Sequence, residues 1–204
     1  MATGMARTDG YLARLPRGLD SYPDYVQKAS VYREFLAEVP PGETHRLSAA
    51  LPARLAEVVE RPLPMSAWIP EAHAVTISLT IADIFLVTDE LFLARKLDAN
   101  RRMLRSPVYR LMFLFVSPQA LLANLAVRWK KFHRGLLLKV PAIESERATL
   151  RLEFPHHLVP DLQIHVYARV VQASIEAAGA RGARVAVTAS SPTHALYEAT
   201  WAAR

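Results

Sequence analysis

The first two thirds of the chain place hydrophobic residues at the three- and four-residue spacing of amphipathic helices. Helices are predicted over 24–39 and over 51–60, and a proline-rich break follows each of them. A further helix is predicted over 118–133, because Ser117 is a good N-cap and proline suits the first helical position. Residues 1–20 show no clear period, so we expect a flexible N-terminal arm there.

Residues 71–97 carry a pattern that fits two kinds of element. Over 75–81, apolar residues alternate with threonine and serine, which is typical of a strand. The same stretch also fits a helix, and the run is far longer than a typical strand. We favour a largely buried helix over 70–87, followed by helices over 89–104 and 107–115, while the strand alternative stays open.

After Gly135 the hydrophobic period changes from that of a helix to the alternation of strands. The four predicted strands are 136–140, 148–154, 184–189 and 196–201. A helix lies between the second and third strands and ends at Gly179. This order predicts an α+β protein, in which a helical N-terminal half is followed by a β-β-α-β-β antiparallel sheet with a packed helix.

A chain of 204 residues is long enough to bury a core without disulfide or metal staples. We expect a single domain over 21–204, with a helical part at 21–134 and a sheet part at 135–204. The absence of cysteine excludes disulfides, thiolate metal sites and cysteine nucleophiles. No apolar run approaches the roughly 20 residues of a membrane span, and we expect a cytoplasmic protein.

Positive charge is concentrated in the middle of the chain. Between Arg95 and Arg151 there are 13 Lys or Arg residues and 3 acidic residues, whereas the whole chain has a net charge of +6. This distribution predicts a surface that attracts an anionic partner, such as a protein with an acidic surface. The alternative is the solvated side of amphipathic helices. Nucleic acid is not the expected partner, because no nucleic-acid-binding motif accompanies the charge.

Four short segments carry a resemblance to known proteins: Ser117-Pro118, FHRG at 132–135, IEAAGA at 175–180 and LYEATW at 196–201. With these, residues 111–201 resemble a family of unknown function found mainly in myxobacteria. The order of elements also resembles the ligand-binding fold of haem–nitric-oxide sensor domains and of vinyl-reductase-type sensor domains. The resemblance implies binding or sensing rather than catalysis.

The chain departs from the haem sensors in two respects. Those sensors hold haem with a histidine in the helix before the sheet and with a Tyr-x-Ser-x-Arg motif. Here only His133 lies near that helix, and the motif is absent. We therefore expect no haem and no other resident cofactor. His156 and His157, with Asp161 and His165, form the only histidine cluster, and we expect no metal site there.

Aromatic and arginine residues near the predicted junction of the helical half and the sheet are candidates for a ligand site. They are Trp68, Tyr109, Arg110, Phe113, Arg128, Trp129, Phe132, His133 and Arg134. The aromatic rings would line an apolar pocket, and the arginines would clamp a carboxylate or phosphate. The alternative for the same residues is core packing.

No common catalytic motif is present: the chain lacks HExxH, GxSxG, GxxxxGK[ST] and GxGxxG. The sequence therefore predicts a non-enzymatic module that holds an apolar or amphipathic small molecule or peptide, or presents it to a partner protein. Homodimerisation through an exposed strand edge is a further expectation. Two alternatives stay open: an enzyme of unfamiliar type built on Tyr109, His133 and Arg134, and a scaffold or regulator without a small ligand.

Overall fold

The computed structural model describes residues 5–85, 88–105 and 116–202. Helices dominate its N-terminal half and long strands its C-terminal part. The described helices are α1 (Ala6–Arg14), α2 (Ala29–Leu36), α3 (Thr44–Ala50), α4 (Ala53–Glu60), α5 (Glu71–Phe85), α6 (Asp89–Arg105), α7 (Pro118–Ala123), α8 (Leu125–Trp129) and α9 (Asp161–Ala177). The described strands are β1 (Val26–Lys28), β2 (Trp68–Pro70), β3 (His133–Arg134), β4 (Leu137–Ile143), β5 (Arg147–Glu153), β6 (Arg181–Ser190) and β7 (His194–Ala202). The predicted α+β class is confirmed, with β4-β5-α9-β6-β7 as its β-β-α-β-β part.

The chain divides into two compact units. The described residues of Met1–Phe92, Phe132–Gly135 and His156–Leu158 form the first unit. Those of Leu93–Lys131, Leu136–Pro155 and Val159–Arg204 form the second. A single domain over 21–204 stays a prediction.

Helix α5 lies at the centre of the first unit and is buried on nearly every side along its first three turns. A helix that is apolar all round belongs in a core. Its polar side chains bond to their own helix: the Thr76 hydroxyl donates to the Ala72 carbonyl at 2.7 Å, and the Thr80 hydroxyl to the Thr76 carbonyl at 2.9 Å. The helix favoured over 70–87 is confirmed and the strand alternative is wrong. The alternating hydroxyls that suggested a strand bond to carbonyls of their own helix instead.

The prediction of a flexible arm is wrong for residues 5–20. Helix α1 packs on α5 and buries Thr8 and Tyr11. The Thr8 hydroxyl donates to the Asp83 carboxylate at 2.9 Å, and the Tyr11 hydroxyl donates to the Leu158 carbonyl at 2.8 Å. The sequence underestimates this helix because it contains few apolar residues, and one of its two buried side chains, Thr8, is polar.

Strands β1, β2 and β3 form a small antiparallel sheet in the first unit, in the order β2-β1-β3. Val26 of β1 lies opposite Pro70 on one side and Arg134 on the other. The predicted helix over 24–39 is therefore wrong at its start, and α2 begins only at Ala29. Local periodicity cannot reveal β1, because its partners are distant in the sequence.

Several other predicted helices agree in position with the structure. Helices α4 and α6 confirm those predicted over 51–60 and 89–104, with bounds within two residues. The helix predicted over 118–133 is instead two short helices that meet at Asn124, whose side-chain amide donates to the Ala120 carbonyl at 3.0 Å. An asparagine that bonds to the backbone in this way competes with helix continuation. The helix predicted over 107–115 lies outside the described residues.

The second unit contains a four-stranded antiparallel sheet in the order β4-β5-β7-β6, and α9 packs on β6 and β7. Leu150 and Leu152 point to the buried face of β5. The other face carries ion pairs such as Arg147–Glu198 and Lys139–Glu153. This alternation is the sequence signal that predicted the strands. Among the described helices, none has the length and apolar character that crossing a membrane requires.

Candidate functional site

A tryptophan with two cations lies on the outer face of the small sheet in the first unit. The register sets Lys28 of β1 opposite Trp68 of β2, and Arg134 of β3 opposite Val26. Since residues two apart on a strand share a face, these three side chains lie on one face. We call this set, Lys28, Trp68 and Arg134, the Trp68 face. Arg134 is exposed, and the other two are half-buried.

Both cations of the Trp68 face contact the same indole. The Lys28 ammonium lies 4.2 Å and the Arg134 guanidinium carbon 4.0 Å from the ring centroid of Trp68. Cation–π contacts at this distance contribute about 0.5–1 kcal/mol each at exposed sites. Lys28 also donates to the Ser66 carbonyl at 2.7 Å. In the part of the chain that the structure describes, neither cation is paired with a carboxylate, so the face presents two ordered positive charges.

The inner face of the same sheet carries a buried polar pair. Gln27, Ile69 and His133 share this face, and each is at most 4% exposed. The Nδ1 atom of His133 lies 3.3 Å from the carboxylate of Glu71, which is fully buried at the start of α5. This contact fixes the short strand β3, and through it the backbone of Arg134.

Two further contacts fix the surroundings of this pair. The Glu71 backbone N–H donates to the Tyr25 carbonyl at 2.7 Å. Gly135 follows β3 with φ +91°, and a Cβ atom there would lie 2.5 Å from the Tyr25 ring.

Tyr11 is a further buried group near Glu71. Burial, with the Glu71 carboxylate adding to it, raises the pKa of Tyr11 well above its ordinary value, so this phenol stays neutral.

The structure distributes the nine predicted site residues over both units. Trp68, Phe132, His133 and Arg134 belong to the first unit, and Arg128 and Trp129 belong to the second. Tyr109, Arg110 and Phe113 lie outside the described residues.

Within the first unit, the structure brings Trp68 and Arg134 together as expected and places His133 behind them, in the interior. Phe132 contributes its carbonyl, which accepts from the Lys28 backbone N–H at 2.8 Å. Trp129 in the second unit packs edge-on against Tyr167, with ring centroids 5.2 Å apart, which is core packing.

Sequence reasoning missed Lys28 and Glu71. Lys28 lies in a segment that the sequence predicts as helix, so its pairing with Trp68 across the sheet could not be inferred. Glu71 precedes a long apolar run, where an acidic residue is ordinary for the first turn of a helix. Glu71 can be recognised as part of the site only once its contact with the His133 imidazole is known.

His133, the histidine that the sequence places nearest the helix before the sheet, does not fit the role of a haem ligand. Haem iron is bound in proteins by an imidazole, thiolate, thioether or phenolate group. The described helices α6, α7 and α8 carry no histidine, and His133 lies in a strand with its Nδ1 beside Glu71. Within the described ranges, no three His, Asp or Glu side chains are grouped as metal ligands.

The comparisons with known proteins concern the fold. The chain is similar to the Fe(II) unliganded H-NOX protein from K. algicida, with a TM-score of 0.60 and 12% identity over 87% of this chain and 97% of that one. An oxygen-binding H-NOX domain related to soluble guanylate cyclases gives a TM-score of 0.59 and 6% identity, with coverage of 86% and 95%. A mutant H-NOX from T. tengcongensis gives 0.56 and 7%, with coverage of 86% and 98%. No family model and no curated protein matches the sequence. The chain therefore has an H-NOX-like fold, which confirms the haem-sensor part of the resemblance at the level of fold.

Proposed function

We propose that this protein is a non-enzymatic binding and sensing module that captures an acidic, amphipathic peptide segment of a partner protein on its Trp68 face. One observation carries the proposal. Two cations lie on a single half-buried indole, and neither has a carboxylate partner in the described residues. The H-NOX-like fold supports a sensor role by analogy of fold alone.

The chemistry of the Trp68 face matches a segment that carries carboxylates next to an apolar side chain. A guanidinium binds a carboxylate through two parallel hydrogen bonds, and an ammonium adds a point charge. The indole edge offers apolar contact beside these charges. Tryptophan and arginine are also the residue types that contribute most at protein interfaces.

The form of the surface favours a peptide over a small molecule. Small ligands bind in concave sites that cover most of their surface. Lys28, Trp68 and Arg134 stand on a sheet face, with Arg134 exposed. A peptide segment can lie across such a face and contact all three side chains.

The buried pair beneath the face supports binding through preorganisation. Side chains that are already ordered lose less conformational entropy when a partner binds. The contact between His133 and Glu71, both at most 4% exposed, holds β3 in register with β1. The two cation–π contacts then restrict the rotamers of Lys28 and Arg134.

Further properties that the sequence predicts are also proposed here. That Tyr109, Arg110, Phe113, Arg128 and Phe132 contact a ligand stays a proposal from the sequence. Homodimerisation, a cytoplasmic location, a membership in the myxobacterial family and a relationship to vinyl-reductase-type sensors are also proposed.

Catalysis at His133 has less support than binding. A general base must reach the proton that it abstracts. His133 is 4% exposed, and its Nδ1 already faces Glu71. A structural role for this imidazole accounts for both observations.

Isothermal titration calorimetry tests the proposal with a peptide that alternates glutamate with leucine and phenylalanine. We expect micromolar affinity that falls as salt rises, since exposed charges are screened. Arg134→Gln should weaken binding about tenfold, corresponding to about 1.4 kcal/mol. Arg184→Gln removes one exposed charge from β6 and serves as the matched control, with unchanged affinity expected. Equal affinity of the two variants, or of a lysine-containing counterpart peptide, would contradict the proposal.

A further inference from the structure

The small sheet of the first unit ends at a strand that carries the Trp68 indole. Its order is β2-β1-β3, so β2 pairs with β1 on one side and with no strand of the described residues on the other. We call this other side of the strand the β2 edge. Met65 and Ser66, just before the strand, are exposed, and Trp68 and Pro70 are half-buried. Unpaired edges of this kind can accept a strand from another chain.

The register decides which backbone groups lie along the β2 edge. In an antiparallel pair, residues alternate between those that direct their N–H and C=O groups to the partner strand and those that direct them away. The Glu71 N–H bonds to the Tyr25 carbonyl at 2.7 Å. By this alternation Ile69 also bonds to β1, and Trp68 directs its N–H and C=O groups to the β2 edge. Pro70 has the same orientation but no N–H, so the edge suits only a short added strand.

We propose that the acidic segment binds as a short extended strand along the β2 edge, with a glutamate opposite Trp68. This inference rests on the proposed function. Side chains that face each other on adjacent strands lie on the same side of the sheet, with Cβ atoms about 5 Å apart. The glutamate therefore stands beside the indole. Its carboxylate pairs with Lys28 and Arg134, whose charged groups lie 4.2 and 4.0 Å from the ring centroid.

The two faces of the sheet match the two faces of an amphipathic strand. Side chains alternate between the faces of an extended segment, so its glutamates all lie on the side of the Trp68 face. Its apolar side chains then lie on the opposite side, next to Ile69, which is 1% exposed. A segment that alternates charged and apolar residues thus meets charge on one face and apolar surface on the other.

A helical segment would make different contacts with the same protein. Its N–H groups bond to carbonyls of the helix itself, so it would bind through side chains alone. An added strand instead exchanges hydrogen bonds with the N–H and C=O groups of Trp68. The backbone of the peptide therefore distinguishes the two modes of binding.

Calorimetric titration of the full chain with two N-methylated forms of the alternating peptide tests the inference. In one form every glutamate is N-methylated, which removes the donors that face the β2 edge. We expect this form to bind at least about tenfold more weakly, the loss expected for one main-chain hydrogen bond. The form N-methylated at every leucine and phenylalanine is the matched control. Its methyl groups point away from β2, and its affinity should stay unchanged.

Hydrogen exchange at the Trp68 backbone amide provides a second readout, because hydrogen bonding protects an amide from exchange. We expect exchange at Trp68 to slow at least about tenfold in the presence of saturating peptide. Ile69 is the internal reference, since its amide already bonds to β1 and should change little.

Three results would overturn binding as a strand: equal affinity of the two methylated forms, unchanged exchange at Trp68, or tighter binding of a peptide of the same composition with its glutamates at helical spacing. If Arg134→Gln still weakens binding in these cases, the proposed function stands and only the strand inference fails. An unmethylated peptide that does not bind overturns both.

Discussion

At the scale of single residues, Asp83 joins the start of α1 to α5. Its carboxylate, 1% exposed, accepts from the backbone N–H of Thr8 at 3.0 Å and from the Arg7 side chain at 3.1 Å. The first N–H groups of a helix have no partner within the helix. The N-cap of α1, Met5, offers no side-chain bond. Asp83 therefore acts as a cap supplied from a distant part of the chain.

Asp83→Ala should lower the free energy of unfolding by about 2–3 kcal/mol, because it leaves the start of α1 without its acceptor and removes the buried one of the two carboxylates that bind Arg7. Asp89→Ala is the matched control, since Asp89 binds the same Arg7 but is 54% exposed. We expect it to cost at most about 1 kcal/mol. Urea denaturation measures both values, and equal losses would contradict the capping role of Asp83.

His73 gives a pH dependence at the same scale. Burial lowers its pKa below the ordinary value of 6.5, and the nearby Arg54 lowers it further, against smaller opposing effects of Leu19 and Asp20. The unfolded chain therefore binds this proton more readily than the folded one. Stability contributed by neutral His73 is present above pH 6.5 and is lost as the pH falls through the lower folded pKa.

His73→Gln should flatten the decrease of stability with pH just below 6.5. Urea denaturation at a series of pH values from neutral to mildly acidic measures this slope. His45→Gln, at an exposed position, is the control and should keep the slope of the unmodified protein. An unchanged slope in His73→Gln would contradict the assignment.

At the scale of elements, the short strand β3 depends on the turn that follows it. Gly135 has φ +91°, a backbone conformation that residues with a Cβ atom rarely adopt, and a Cβ atom there would lie 2.5 Å from the Tyr25 ring. Gly135 and the Tyr25 ring both belong to the first unit. The position of Arg134 on the Trp68 face therefore depends on a glycine next to it.

Gly135→Ala should destabilise the protein by about 2–4 kcal/mol, because it combines a disfavoured φ with a clash against a packed ring. Gly10→Ala, in α1, has open space around its Cβ and should stabilise the helix by about 0.5–1 kcal/mol. Thermal unfolding followed by circular dichroism measures both changes. A shift of the melting temperature in the same direction for both substitutions would contradict this role of Gly135.

Elements whose pattern is local could be predicted, and those that depend on distant partners could not. Strands β5 and β7 alternate clearly, and α5 is too long and apolar to be a strand. By contrast, β1 is defined by pairing with β2 and β3, and α1 by the carboxylate of Asp83. The same reason hid one of the three residues of the Trp68 face: Trp68 and Arg134 could be named as aromatic and cation, but Lys28 could not.

Across the molecule, the fold defines the architecture and the Trp68 face supplies the binding chemistry. The H-NOX-like fold follows from structural similarity at 6–12% identity, which does not carry ligand chemistry with it. The function must come from particular side chains. The Trp68 face supplies ordered cations beside an indole, and its interior support is the His133–Glu71 contact.

Binding at the Trp68 face can be tested by an NMR titration of the three tryptophan indole N–H signals with the acidic peptide. Trp129 and Trp201 are buried in the second unit and serve as internal references, whereas Trp68 is half-buried in the first. We predict that the Trp68 signal shifts in a saturable manner while the other two stay in place. A Trp68 signal that does not move at saturating peptide, or three signals that move together, would contradict binding at the Trp68 face.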